Sequence, residues 1–277
     1  MSRPRFPDWL IYCGAVAAVV FAAMAWRQRA DAPPAPPPIP GAADPALLTS
    51  ETPFNPRKVK PMPDGPLQTR AGTAFSISAA GVWLTARHVI EDCRQAAVIV
   101  ADGRGVLAKV IADPESDVAV LQTEGGGPPL PLAPKRDLAD GQRAFHPGFP
   151  QGRPGEATSI YLGRDAWRER ARWARPQDVL AWAESGRTDG IKGSLAGLSG
   201  APVLDKAGQV VGVTLAEAPR RGRLYAAPPD AIRAALARAK VKLTGLAQGQ
   251  PVTIDNYGRV ADGLRRDLRV ARVACLS

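Results

Sequence analysis

Between residues 72 and 227 the apolar residues come in short runs with turn residues between them. Gly72-Thr73-Ala74-Phe75-Ser76-Ile77-Ser78 alternates small or polar with apolar side chains, Ala79-Ala80-Gly81 turns, and Val82-Trp83-Leu84-Thr85 runs back. A side-chain period of two between turn signals belongs to a strand with one buried face. Ala96 to Val100, a turn at Asp102-Gly103, and Val106 to Ile111 form a second such hairpin. Val118 to Leu121, Thr158 to Leu162, Asp178 to Ala183, Gln209 to Ala216 and Leu224 to Ala227 read as further strands. Strands this short suit a pair of Greek-key barrels rather than a parallel sheet. Asp230 to Ala239 breaks the pattern as an amphipathic helix of good helix formers.

One turn carries chemistry. Gly197-Leu198-Ser199-Gly200-Ala201-Pro202 sets a serine between glycines and runs into the apolar Val203-Leu204. Glycine reaches backbone conformations that a side chain forbids. The amides of Gly197 and Ser199 can then face one spot in front of the Ser199 hydroxyl, as an oxyanion hole requires. The chain holds two histidines. One, His88, follows the strand-like Trp83-Leu84-Thr85-Ala86-Arg87. The other, His146, sits beside a proline in the turn-rich stretch from His146 to Gly152 and is read as structural. Between His88 and Ser199, Asp113-Pro114-Glu115-Ser116-Asp117 leads into Val118.

The order His88, Asp117, Ser199 and the residues around each resemble the trypsin-like serine peptidases, nearest in style to the bacterial HtrA/Deg type. Thr85-Ala86-Arg87-His88 resembles that family's Thr-Ala-x-His. Asp117 to Leu121 resembles its aspartate-led strand, and Gly197 to Pro202 its Gly-x-Ser-Gly-Gly-Pro. Ala201 departs from it, standing where a second glycine is usual, which implies a change of packing rather than lost activity. The resemblance spans roughly residues 66–240. It implies two Greek-key barrels with the site in the cleft between them, and an endopeptidase working through an acyl-enzyme. Ser199 is then the nucleophile, His88 the general base and acid, and Asp117 the residue that orients the imidazole. The strand through Thr214, Leu215 and Ala216 is expected to line the substrate pocket and to pair with a peptide substrate by backbone hydrogen bonds. The pocket floor lies six positions before the nucleophile, at Gly193, so an uncharged pocket is expected, with Asp189 nearby. No metal or organic cofactor is implied. The rival reading is a scaffold module that keeps the fold without turnover, which has no need of all three residues.

Along the chain, five segments are expected, this domain among them. Residues 1–8 precede an uncharged run at 9–26, long enough to cross a bilayer core of about 30 Å as a helix. The anchored reading places the catalytic domain in the periplasm, on the outer face of a bacterial inner membrane. The alternative is secretion after cleavage near Ala25, since Ala23-Met24-Ala25 fits a signal-peptidase site. A proline-rich spacer (27–66) joins this run to the protease domain (67–240), and a tail (241–277) ends strand-like from Leu268 to Cys275. That tail is too short for the PDZ domain that HtrA-type proteases usually carry. Of three cysteines, Cys13 falls in the apolar run, leaving Cys93 and Cys275 to form a disulfide in an oxidising compartment. The net charge of +10 comes from scattered arginines without an aromatic-basic stripe, so nucleic acid is not expected as a partner.

Overall fold

The computed structural model describes residues 8–28, 54–62, 71–134, 137–167, 177–242 and 247–276. Most of the expected proline-rich spacer, the expected domain start near Leu67, and the arginine-rich stretch from 168 to 175 lie outside the described residues.

The fold is all-β, built as two closed barrels. The first uses β2 (Ala71–Ser78), β3 (Val82–Ala86), β4 (Gln95–Ala101), β5 (Arg104–Ala112), β6 (Val118–Gln122) and β13 (Val270–Leu276). Their order around the ring is β5-β4-β13-β2-β3-β6, and antiparallel pairing of β6 with β5 closes it. A short β1 (Val59–Pro61) pairs with the first residues of β5, along the stretch of edge that β6 leaves uncovered. The second barrel runs β10-β11-β12-β9-β8-β7. Its members are β7 (Arg143–Gly148), β8 (Gly155–Trp167), β9 (Gln177–Arg187), β10 (Pro202–Leu204), β11 (Val210–Ala218) and β12 (Arg223–Ala227).

Alternation explains most of these strands. In β2 every residue from Gly72 to Ile77 is buried, Thr73 reaching loops of the second barrel and Ser76 the Gly127 carbonyl. Two elements lay beyond the pattern. His146 and Pro147 stand inside β7 and pair with Ala157 and Glu156, where the sequence suggested a turn-rich loop. Proline offers no ladder donor, which is why a strand through Pro147 is hard to read. The second is the place of the tail: its expected strand forms as β13, but it is threaded between β4 and β2, pairing Cys275 with Ala96 and Val270 with Phe75. The first barrel is therefore completed by the last strand of the chain. Cys93, three residues beyond the short helix α2 (Arg87–Ile90), is disulfide-bonded to Cys275, with α-carbons 5.2 Å apart.

Three α-helices remain among the described residues. N-terminal α1 (Asp8–Gln28) is 21 residues long, and its described side chains are exposed, Tyr12 and Phe21 among them. Among the described residues no helix is long and apolar enough to cross a membrane. Helix α3 (Pro229–Arg238) follows β12 directly and buries Ile232, Ala235 and Leu236. Helix α4 (Tyr257–Arg266) precedes β13 and buries Tyr257, Val260 and Leu264 on one face.

Candidate active site

Strand β3 ends at Ala86, and α2 turns the chain so that His88 faces the start of β6. Asp117, fully buried, grips His88 at two points. Its Oδ1 accepts the His88 amide at 2.9 Å, and its Oδ2 stands 2.7 Å from Nδ1. The imidazole itself is about one quarter exposed. A buried carboxylate held this way fixes the ring's orientation and leaves Nε2 as the atom that meets a reactant. The bend carrying Asp117, just before β6, is steadied in turn. Asp113 accepts the Ser116 hydroxyl at 2.7 Å and the Glu115 amide at 3.0 Å, and it pairs with Arg238 of α3. Gln177, at the start of β9, reaches from the second barrel and accepts the Asp117 amide at 3.0 Å.

Ser199 sits on its glycine turn against the first barrel. Its carbonyl accepts the Thr73 amide at 2.8 Å, and its hydroxyl donates to the Leu215 carbonyl at 3.0 Å. The position a Cβ would take on Gly72 is 2.7 Å from a methyl of Val89 and 2.8 Å from the Ser199 carbonyl oxygen. The helix that carries His88 thus lies beside the serine turn. Gly197 has φ +97°, and a side chain there would stand 2.5 Å from the Phe149 carbonyl. Gly200 has φ +88°, with the Thr73 carbonyl 2.0 Å from any Cβ. Only glycine serves at either place. Ala201 carries its methyl into the second barrel's core with no exposure, alongside Leu198 and Val203.

Thr73 is the residue the sequence reading missed. Its hydroxyl donates to the Gly197 carbonyl at 2.8 Å and accepts the Phe149 amide at 3.1 Å. Its carbonyl takes the Thr85 hydroxyl at 2.7 Å. One buried side chain of the first barrel therefore ties together two loops of the second, those flanking the expected oxyanion hole. No sequence signal short of the assembled cleft marks it.

The expected pocket residues divide. The Leu215 carbonyl stands at the serine on β11 while its side chain is buried in the core, with Ala216 packed against that core, and the Thr214 hydroxyl turns inward. The Thr214 hydroxyl lies 2.9 Å from Nδ1 of His146, whose Nε2 lies 2.7 Å from the Ser159 hydroxyl. His146 has no exposure, and burial pulls its pKa down to about 3. It is a neutral bridge in the second core, edge-on to Trp182. Gly193 and Asp189 are both exposed, and the Asp189 carboxylate accepts the Gly190 amide at 2.8 Å. Among the described residues no His, Cys, Asp and Glu side chains gather to hold a metal.

A family profile described as "Trypsin-like peptidase domain" matches residues 72–213. A probable periplasmic serine endoprotease, DegP-like, of Pseudomonas fluorescens is 43% identical over 83 residues, covering 29% of this chain and 17% of that protein. Mitochondrial serine protease HTRA2 of Bos taurus is 29% identical over 174 residues, covering 62% of this chain and 36% of that one. The chain thus spans well under half the length of these curated relatives. Among solved structures, the HtrA-type protease AlgW with decapeptide aligns at TM-score 0.50 and 24% identity, covering 61% of this chain and 51% of that chain. The active form of the Rv3671c protease from M. tuberculosis aligns at TM-score 0.50 and 23% identity, covering 74% and 78%. At these identities the structural likeness speaks for the fold.

Proposed function

We propose, from the premise that this chain belongs to the trypsin-like peptidase family, that it is a serine endopeptidase with His88, Asp117 and Ser199 as its triad. The observation that carries the reading is the two-point grip of a fully buried Asp117 on His88, beside a serine held on a glycine-only turn. Peptide is added along β11, where an incoming amide takes the Leu215 carbonyl and frees the Ser199 hydroxyl from it. His88 then accepts the proton as Ser199 attacks the scissile carbonyl, and Asp117 stabilises the imidazolium so formed. The amides of Gly197 and Ser199 receive the oxyanion. His88 returns the proton to the departing amine, and water repeats the cycle on the acyl-enzyme. The β11 backbone at Leu215 and Ala216 forms one side of the substrate pocket, with Gly193 opposite. That the AlgW neighbour was solved with a decapeptide supports a polypeptide substrate.

The support for a location is the sequence alone, since among the described residues no helix is long and apolar enough to cross a membrane. The uncharged run at 9–26 measures about 27 Å as a helix, close to a bilayer core. We take it as a single inner-membrane anchor with the protease in the periplasm, where the Cys93–Cys275 bridge is stable. The protease unit then takes in the last strand, β13, as well as residues 71–240.

The test is a fluorophosphonate probe on the native protein, with casein turnover by Ser199→Ala, His88→Ala and His146→Ala. Triad members act as a unit, so loss of either Ser199 or His88 is expected to cost on the order of 10⁶ in turnover. Substantial cleavage by Ser199→Ala, or an unlabelled native serine, refutes the assignment. Loss in His146→Ala rather than His88→Ala shows the base to be misassigned.

A further inference from the structure

Strand β11 bears a second polar side chain that nothing above uses. Glu217 stands two residues beyond Leu215, and its carboxylate crosses to the segment that leads into the serine turn. Both of its oxygens lie 2.8 Å from the Leu195 amide, and Oε1 takes the Ser194 hydroxyl. A carboxylate held by an amide and a hydroxyl stays where it is put. The ground beside it is open: Gly193 is exposed, and nothing lies within 4 Å of the place its Cβ would occupy. The nearby cation is already engaged. Arg187 donates to the Gly193 carbonyl at 2.6 Å while its Nε and Nη2 pair with both oxygens of Glu184, at 2.6 and 2.7 Å. Among the described residues no cation pairs with Glu217.

These contacts join the two walls between which the substrate's first side chain must pass, β11 on one side and residues 193–195 on the other. A large apolar side chain seated there strips water from the carboxylate and returns no hydrogen bond, which is costly for a charge. A lysine or arginine side chain replaces that water with a charge-assisted bond, about twice as strong as a neutral one. Arginine adds a planar fork that suits a carboxylate whose geometry is already set.

We propose that Glu217 is the specificity-determining residue of the primary pocket, and that the chain cleaves after arginine or lysine. This rests on the peptidase reading above and departs from the expectation of an uncharged pocket drawn from Gly193. A glycine at the floor supplies no charge, but a carboxylate from the wall does.

The test compares kcat/KM on peptide substrates that differ only in the residue before the cleaved bond: Arg, Lys, Ala, Val and Leu. The native protein is expected to favour Arg and Lys over Val and Leu by roughly tenfold or more. Glu217→Gln keeps an oxygen for the Leu195 amide and removes the charge. Its Arg-to-Ala ratio is expected to fall by roughly ten- to a hundredfold. A native preference for Val or Leu overturns the proposal, and that profile decides the matter even if the variant does not fold. An unchanged Arg-to-Ala ratio in a folded Glu217→Gln overturns it as well. So does a native preference for Ala that broadens to Leu in the variant, since the carboxylate is then a plug. In each of these outcomes Ser199 still takes the fluorophosphonate label. An unlabelled serine with no peptide cleaved refutes instead the peptidase reading on which the proposal stands.

Discussion

Acid is expected to unfold this protein through His146. In the fold the imidazole is fully buried with a pKa of about 3, against 6.5 for the unperturbed side chain. The folded value is the lower one, so between about 6.5 and 3 the unfolded chain binds a proton that the native state refuses. The stabilisation is complete above pH 6.5 and drains as the pH falls, by about 1.4 kcal/mol per unit. Carried to the bottom of the window it amounts to about 5 kcal/mol, comparable with the whole stability of a marginal domain. The assay is urea unfolding at pH 7, 6, 5 and 4 for the native protein and for His146→Gln. The variant can still bond Thr214 and Ser159 in part, and is expected to lose about 1–2 kcal/mol at pH 7 from imperfect hydrogen bonding. Its stability should then fall less steeply, by about 1.4 kcal/mol per unit, so that the two curves meet and cross between about pH 6 and 5. Every other group of the chain is common to the two proteins and cancels in the difference. Parallel curves refute the argument, because they mean that the native state accepts the proton as readily as the unfolded chain.

Thr73→Val keeps the shape of a fully buried side chain but leaves the Phe149 amide and Gly197 carbonyl without their partner. It should cost about 1–3 kcal/mol in unfolding experiments and lower kcat more than it raises KM; an unaltered kcat removes Thr73 from the cleft's support. Deleting residues 268–277 takes β13 from between β2 and β4. Two strand edges then stand open, and circular dichroism should report no native barrel; a cooperatively folded deletion variant refutes this. The Cys93–Cys275 bridge closes a separation of 182 residues, so Cys93→Ser should destabilise by about 5 kcal/mol on the chain-entropy account. Thiol counting on the denatured, unreduced native protein should find Cys13 alone; two further reactive thiols contradict the bridge.

Much of the site was legible because its parts are local. The Thr-Ala-x-His segment, the aspartate opening β6 and the glycine-flanked serine each carry their chemistry within a few residues. Turn, strand and backbone conformation there are set by near neighbours. Gly200 shows the limit of that legibility: its need for a positive φ is written in the motif, while the Thr73 carbonyl that excludes any side chain is not. The same division holds for His146. A histidine beside a proline reads as a loop, and only pairing across β7 and β8 makes it a buried core residue.

The sequence by itself determined the all-β class, the strands that alternate, and the order His88, Asp117, Ser199. Each depends on spacing along the chain. Only the tertiary structure decided which distant residues meet. It put β13 inside the first barrel, because an edge between β2 and β4 demands a partner strand wherever the chain supplies one. It made Thr73 and Gln177 braces across the cleft, turned Thr214 inward, and brought Glu217 to Ser194 and Leu195. These are contacts between residues whose separation in sequence carries no signal. They exist because closing two barrels against each other leaves buried polar groups at the seam, and each must find a partner.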